Sequence, residues 1–238
     1  MFVEQWNDAE FARAWATENM EDSEERRQTL DMLMALVSDY LAATQVPRRL
    51  LDVGCGHGVI AARLLREHPT LSLVGVDGSP PMLELAAQTL APFAGRFALK
   101  LVDFETMVPE DLSGDPYGVA IAVQSIHNAS DEGKQRALAA TRGRLAPGGL
   151  FLLVDRIRLT APALFSVYST IWRMQGPQYY GQQREGATFE QHDRSRAERG
   201  DKPGSLEQNL LWLREAGFEH VAALHVVGVR AIIAAIAS

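Results

Sequence analysis

A glycine-rich stretch that follows a short apolar run is the part of this sequence best suited to bind a ligand. Residues 50–53 are followed at once by Gly54, Gly56 and Gly58. Because glycine has no Cβ, the backbone of such a loop can approach a ligand closely. Asp77 closes the next apolar run, where a carboxylate can accept hydrogen bonds from both hydroxyls of a ribose. Together the loop and the acid predict a nucleoside site.

The spacing of the glycines argues against a dinucleotide. The dinucleotide fingerprint is G-x-G-x-x-G, but here Gly58 comes one position early and Val59 follows it. This spacing suits a nucleoside without a pyrophosphate. A nicotinamide-dependent oxidoreductase shares the sheet and the acid and stays open as an alternative. An ordinary tight turn between a strand and a helix also remains possible at this stage.

The elements that must position this loop alternate along the chain. Apolar runs that read as strands lie at 50–53, 71–76, 97–102, 117–124 and 150–154, with helical stretches between them. Strands that are apolar on both faces and alternate with helices predict a parallel sheet covered on both sides. Two more strands near the end, 221–227 and 229–236, are joined by a very short turn and should pair antiparallel.

The predicted fold is therefore α/β, a doubly wound and mostly parallel seven-stranded sheet whose last strand is antiparallel. N-terminal helices and a helical lid insert are added to it. We expect one domain in four segments: a helical cap, a cofactor-binding core, a substrate lid insert, and a last helix with its strands, at 1–46, 47–155, 156–204 and 205–238.

Composition and charge limit the classes of protein that this chain can be. Hydrophobic residues make up 47% and charged residues 22%, as in an ordinary globular protein. The net charge of −7 argues against a general nucleic-acid binder. The one cysteine, Cys55, excludes an internal disulfide and fits a reducing compartment. With no signal-like start and no apolar run long enough to cross a bilayer, we expect a cytoplasmic monomer or homodimer without a membrane partner.

Four motifs that stand in order along the chain carry a resemblance to a known family. They are LLDVGCGHG, VGVDGSPPML, LVDFE and LAPGGLFLLVD, each at a predicted strand end or before a strand. Together they resemble the class I, Rossmann-like S-adenosylmethionine-dependent methyltransferases that act on small molecules. The resemblance covers roughly residues 48–155 and is specific as a set. It implies methyl transfer from S-adenosylmethionine to a small-molecule acceptor, by in-line displacement onto oxygen or nitrogen, with S-adenosylhomocysteine as the product.

The resemblance also implies roles for the residues that bind this cofactor. Asp52 would orient the ammonium group, and the backbone at Gly54, Cys55 and Gly56 would pass under the methionine part. Asp77 would hold the ribose. The residues implied around the adenine are Gly78, Met82, Asp103 and Phe104.

Each of these implied roles has a simpler structural alternative. Met82 can be core packing on a helix, Phe104 can fill a loop, and Asp103 can cap a turn. Gln124 and Ser125, after the fourth strand, would border the sulfonium and the acceptor.

His127 is the candidate catalytic residue. It follows the fourth strand, and an unperturbed histidine titrates near neutrality, as a general base for a hydroxyl or a protonated amine requires. A structural histidine bonded to a backbone carbonyl is the alternative. His57, within the glycine loop, is expected at the surface of a turn. No cluster of histidine, cysteine and aspartate has metal-ligand spacing, so we expect no metal. A non-catalytic module that only binds the cofactor also remains open.

Two aromatic segments are candidates for the acceptor site. Trp15 belongs to an aromatic-rich first helix, and Tyr168 and Trp172 share a helical face ahead of Tyr180. Our hypothesis is that both segments fold over the cleft as a lid with an aromatic inner wall. A stripe at helical spacing is also what ordinary core packing produces, and that alternative stays open.

Overall fold

Seven strands of the described chain form one sheet, with helices on both of its faces. The computed structural model describes residues 4–17, 24–112, 114–180 and 186–238. The strands are β1 Arg49–Val53, β2 Ser72–Asp77, β3 Phe97–Leu101, β4 Tyr117–Val123, β5 Leu145–Arg156, β6 Phe218–Val227 and β7 Arg230–Ala237. The α-helices are α1 Ala9–Thr17, α2 Glu24–Ala43, α3 Val59–Glu67, α4 Pro80–Leu90, α5 Asp131–Arg142, α6 Phe165–Tyr180, α7 Phe189–Glu198 and α8 Leu206–Glu215. Short 3-10 helices include Glu4–Asn7 and Ile126–Asn128.

The strand order is β3-β2-β1-β4-β5-β7-β6, which confirms the predicted fold class. β1 pairs parallel with β2 on one side and with β4 on the other, so the order reverses between β1 and β4. Such a switch point opens a crevice at the carboxyl ends of the strands. β7 pairs antiparallel with both β5 and β6, so the last strand is the antiparallel one.

The pleat of β1 divides the core between the two faces of the sheet. Leu50 belongs to one buried cluster and Leu51 to the other, because successive side chains of a strand point to opposite faces. The first cluster also takes the apolar face of α2, whose residues recur at helical spacing, namely Leu30, Leu33, Met34, Val37 and Leu41. The second cluster takes buried residues from α5 and α8.

The helix starts that frame the crevice form as their sequences predict. Ser79 Oγ accepts the backbone N–H of Met82 at 3.2 Å, and Pro80 stands in the first turn of α4. Ser205 and Gln208 form the capping box of α8. The largest boundary difference from the prediction is at the start of β5, which begins at Leu145 and not at residue 150, because Leu145 pairs with Tyr117 across an irregularity in β4.

The segment 156–204, expected to be an insert, carries α6 and α7. The two helices pack on each other around a small cluster of their own, formed by Tyr168, Trp172 and Phe189. None of the helices in the described ranges is long and apolar enough to cross a membrane.

Candidate active site

A cavity of about 520 Å³ opens at the carboxyl ends of β1, β2 and β4, next to the switch point. Its walls include Asp52 and Gly54 from β1 and its loop, Asp77 from β2, and Gln124 after β4. The N-terminal residues and the end of α7 close the other sides. The volume is in the usual range for small-molecule sites.

The glycine loop needs glycine for two different reasons. Gly54, Gly56 and Gly58 all have positive φ, at 78°, 53° and 80°. A Cβ at Gly54 would lie 2.3 Å from the Cβ of Ser125, so the loop packs directly against the segment after β4. A Cβ at Gly56 would have no described atom within 4 Å. The backbone at Gly56 therefore borders open space.

Asp77 ties the loop to β2. Its carboxylate accepts the backbone N–H of Gly56 and that of Ser79, each at 2.9 Å. Burial raises the pKa of Asp77, and these hydrogen bonds oppose the rise. Asp77 lines the cavity as expected. Its contact with Ser79 shows that it also holds the turn that leads into α4, a role that was not predicted.

Asp52 is a buried carboxylate beside the same loop. It is 2% exposed, and its Oδ2 has no hydrogen-bond partner among the residues that the structure describes. Burial, and after it the negative charge of Asp77, raises the pKa of Asp52 to about 7. An acid in this position favours a cation as its neighbour.

The other residues expected to bind the cofactor divide into two groups. Lining the cavity are Cys55, Met82, Phe104 and Gln124. Gly78 and Asp103 are not among the described residues of its wall. Asp103 instead accepts the backbone N–H of Glu105 at 3.0 Å, the turn-capping role that was its alternative.

Two of the lining residues have unusual local environments. Cys55 packs over β2, where a Cβ at Gly75 would lie 2.9 Å from its Sγ. Burial, and next the charges of Asp52 and Asp77, raises the pKa of this thiol well above its usual range, so it is a poor nucleophile. Gln124 has a positive φ of 49°, a strained backbone conformation of the kind that concentrates at functional sites.

His127 is buried at the cavity wall and is held by a carboxylate. Its Nδ1 lies 2.5 Å from Asp155 Oδ1, and its backbone N–H donates to Asp155 Oδ2 at 3.1 Å. A carboxylate only accepts, so Nδ1 is the donor in this pair, and in the neutral form of the ring Nε2 is the nitrogen that carries the lone pair. Asp155 was missed as a site residue, although it is the last residue of the motif LAPGGLFLLVD and lies one residue before the end of β5.

Two residues at the end of the insert also meet His127. Asp201 Oδ1 lies 3.9 Å from His127 Nε2, and Asp201 Oδ2 pairs with Arg156 Nη1 at 2.8 Å. The Lys202 backbone N–H donates to the His127 carbonyl at 2.7 Å. Sequence reasoning missed Arg156 and Asp201, and nothing in the spacing of the insert marked them. Within the described ranges no group of three or more histidine, cysteine, aspartate or glutamate side chains could hold a metal ion.

The N-terminal aromatic residues form one wall of the cavity. Trp15 lines it and meets the rings of Trp6 and His57 edge-on, with centroids 5.3 Å and 5.6 Å away. His57 is therefore buried, and the expectation of a turn-surface position was wrong. Burial, and then the charge of Arg26, lowers the pKa of His57, so its ring is neutral at pH 7.

The second aromatic segment does not reach the wall. Tyr168 and Trp172 are absent from the described lining residues and pack on Phe189, with ring centroids 4.4 Å and 5.9 Å away. Their stripe is core packing between α6 and α7, which corrects the hypothesis of an inner wall for these two residues. The side chain of Tyr180 lies outside the described residues. Ser125 borders the cavity, with its hydroxyl donating to the Val53 carbonyl at 2.7 Å.

Comparison with known proteins identifies the family. A model for a methyltransferase domain matches residues 51–151. Ubiquinone/menaquinone biosynthesis C-methyltransferase UbiE from Syntrophotalea carbinolica is 30% identical over 176 residues, which are 73% of this chain and 69% of that protein. The chain belongs to the class I S-adenosylmethionine-dependent methyltransferases. This membership removes the nicotinamide-dependent oxidoreductase as an alternative.

Solved structures show the same fold. The S-adenosylmethionine-dependent methyltransferase SibL has a TM-score of 0.60 at 22% identity, covering 94% of this chain and 61% of its own. Magnesium protoporphyrin IX methyltransferase (ChlM) from Synechocystis PCC 6803, solved with bound SAH, has a TM-score of 0.63 at 14% identity. That alignment covers 99% of this methyltransferase and 98% of ChlM. At such identities the likeness shows the fold alone. The chain spans about half or less of several further curated relatives.

The residues of this methyltransferase fit its cofactor. The cofactor carries an ammonium group, and Asp52 offers a buried carboxylate oxygen without another partner in the described chain. The open space next to Gly56 could take the methionine part of the cofactor. A side chain at position 56 would project into that space, so glycine keeps it open. Both features lie on the cavity wall, on the β1 side of the switch point.

Proposed function

We propose that this methyltransferase transfers the methyl group to a hydroxyl oxygen of a small-molecule acceptor, with His127 as the general base. The pairing of His127 Nδ1 with Asp155 at 2.5 Å, at the wall of the cavity, carries the proposal. S-adenosylmethionine, when bound, supplies a methyl group on a sulfonium, which reacts with any well-aligned nucleophile. A hydroxyl is a weak nucleophile until it loses its proton, and Nε2 of His127 is available to accept that proton.

Asp155 acts in this proposal as a positioning residue. It holds both the ring and the backbone of His127, so the imidazole keeps one orientation and one tautomer. Its negative charge also stabilises the imidazolium that forms when Nε2 takes the proton. The side chains that would hold the cofactor are Asp52 at the ammonium group, with Met82 and Phe104 on the wall expected to meet the adenine.

Oxygen is favoured over nitrogen as the methylated atom because a neutral amine attacks without a base. The UbiE relative is a C-methyltransferase by its name. A hydroxyaromatic acceptor that has lost its proton can also react at a ring carbon, so the product must be identified rather than only the consumption of cofactor.

The test combines product analysis with one pair of variants. The protein is incubated with S-adenosylmethionine labelled with ¹³C in its methyl group and with a panel of hydroxyaromatic and amine compounds. Carbon NMR then separates a methoxy group from a ring methyl or an N-methyl group. His127→Asn should lower kcat by about a hundredfold or more, as loss of a general base does, with an unchanged Kd for the cofactor. The control is His225→Asn, a histidine of β6.

Two results would contradict the proposal. Turnover by His127→Asn that equals wild type would exclude the base. A wild-type protein that binds S-adenosylmethionine, yet forms no S-adenosylhomocysteine with any member of the panel, would favour the non-catalytic binding module instead.

A further inference from the structure

The cavity wall beyond His127 carries an accumulation of arginine. Arg156 ends β5, Arg196 lies in the last turn of α7, and Arg199 follows that helix, and all three line the cavity. Asp201 also lines this end of the cavity. Among the described lining residues, three guanidinium groups are thus gathered at one end, in a chain whose net charge is −7. The positive wall is a local feature and not a property of the whole surface.

Arg156 is a buried cation with charges of both signs around it. The Arg156 side chain is 11% exposed. Burial, and next the charges of Arg230 and Arg196, lowers the pKa of Arg156 to about 9, although Asp201 and Asp155 act in the opposite direction. A further oxygen anion beside this buried guanidinium would favour its charged form.

This positive wall lies next to the base and not next to the cofactor loop. Asp201 joins the two, because one of its oxygens pairs with Arg156 at 2.8 Å and the other lies 3.9 Å from His127 Nε2. The glycine-loop end of the cavity carries charges of both signs, the acids Asp52 and Asp77 and, near His57, Arg26. A molecule that presents a hydroxyl to His127 would therefore extend toward the arginines.

We propose that Arg196 and Arg199, with Arg156 beside them, bind an anionic oxygen group, a carboxylate or a phosphate, on the acceptor. The inference rests on the proposed function and adds the acceptor class: a small hydroxyl compound that also carries a negative charge. The planar guanidinium matches the oxygens of both anions in a two-pronged contact. Binding of an acceptor buries these cations further, and an anionic group on the acceptor offsets the cost of that burial where a neutral group does not.

The experiment measures binding instead of turnover. The protein is saturated with S-adenosylhomocysteine and titrated calorimetrically with 3-hydroxybenzoate, with 3-hydroxyphenyl phosphate, and with the neutral 3-hydroxybenzamide. We expect at least one anion to bind about tenfold or more tightly than the amide, as one or two charged hydrogen bonds predict. The order of the two anions tells a carboxylate acceptor from a phosphorylated one.

Substitutions of the arginines test whether they cause the preference for the anion. The double variant Arg196→Gln/Arg199→Gln should lose the preference for the anion while its Kd for S-adenosylhomocysteine and its Tm stay close to wild type. Arg194→Gln, an exposed arginine of the same helix that is not a described lining residue, is the matched control and should keep the preference.

Results that contradict the anion site can be told apart from results that contradict the proposed methyl transfer. An amide that binds as tightly as both anions, or the absence of binding by either anion, overturns this inference. The inference is also overturned if the control variant loses as much of the preference for the anion as the double variant does. Methyl transfer to neutral acceptors without charge preference would leave the proposed function intact and refute the anion site alone. Anion binding that depends on the two arginines, without any methyl transfer, would support the anion site and contradict the proposed function.

Discussion

Replacing Asp52 with asparagine removes a buried negative charge and keeps the shape of the side chain. The pKa of Asp52 is about 7 in the folded protein, against 3.8 for an ordinary aspartate. The unfolded chain therefore ionises first as the pH rises, and the folded chain holds its proton until about pH 7. Because the folded pKa of this acid is raised, Asp52 lowers the free energy of unfolding progressively from about pH 4 to about pH 7.

The size of the effect follows from the shift. About three pKa units, at about 1.4 kcal/mol each, give a penalty of about 4 kcal/mol at pH 8 and about 1 kcal/mol at pH 4.5. Asparagine does not ionise, so the variant escapes this penalty. The cost of burying its amide is the same at every pH and cancels in the comparison. Relative to wild type, Asp52→Asn should therefore gain about 3 kcal/mol between pH 4.5 and pH 8.

The assay is urea denaturation of the cofactor-free protein at pH 4.5, 6 and 8. The control is Asp39→Asn, an exposed aspartate of α2, whose difference from wild type should not follow the same curve. At pH 8 the Asp52→Asn protein should bind S-adenosylmethionine about tenfold or more weakly, because the ammonium group loses a charged partner. A stability difference between Asp52→Asn and wild type that stays constant across the three pH values would refute the assignment of a raised pKa to Asp52.

Three further predictions follow from the same geometry. The wild-type affinity for S-adenosylmethionine should rise by up to about tenfold between pH 6 and pH 8, since the cation prefers ionised Asp52, and calorimetry on Asp52→Asn should show a flat profile. Gly56→Ala should weaken cofactor binding because its Cβ enters the open space, at a stability cost of about 1–2 kcal/mol for positive φ. Gly95→Ala, also at positive φ with open space around it, should show the same cost and unchanged cofactor affinity. Trp172→Ala should lower the free energy of unfolding by about 3–5 kcal/mol without altering cofactor affinity, whereas a raised KM for the acceptor at unchanged stability would restore the aromatic-wall hypothesis.

Most of the residues that line the cofactor half of the cavity could be predicted from the sequence. Asp52, Gly54 and Asp77 stand at the ends of apolar runs, and parallel strands bring their carboxyl ends to one edge of the sheet. Residues that end neighbouring strands therefore also lie next to each other in the cavity, independently of how the other segments pack. Asp103 shows the limit of this argument, because its carboxylate meets a backbone N–H two residues away, a local contact that strand order does not reveal.

The acceptor half depends on tertiary packing that no local pattern encodes. His127 and Asp155 are 28 residues apart and meet only because β4 and β5 are adjacent. Arg196 and Asp201 reach the cavity through the packing of the insert. The helical spacing of Tyr168 and Trp172 predicts a buried stripe, but the partner that covers it, Phe189 of α7, lies in another helix.

The hydrogen bond from Lys202 to the carbonyl of His127 has a consequence for how such proteins diversify. Residues 201 and 202 lie near the end of the same insert that brings Arg196 to the cavity, and both contact His127. In a chimaera that imports a foreign insert to accept a new compound, the support of His127 would be exchanged along with the recognition surface. Acceptor specificity and proton transfer therefore change together when the insert is exchanged. We expect turnover to be kept in a chimaera that retains residues 201–202 of this chain.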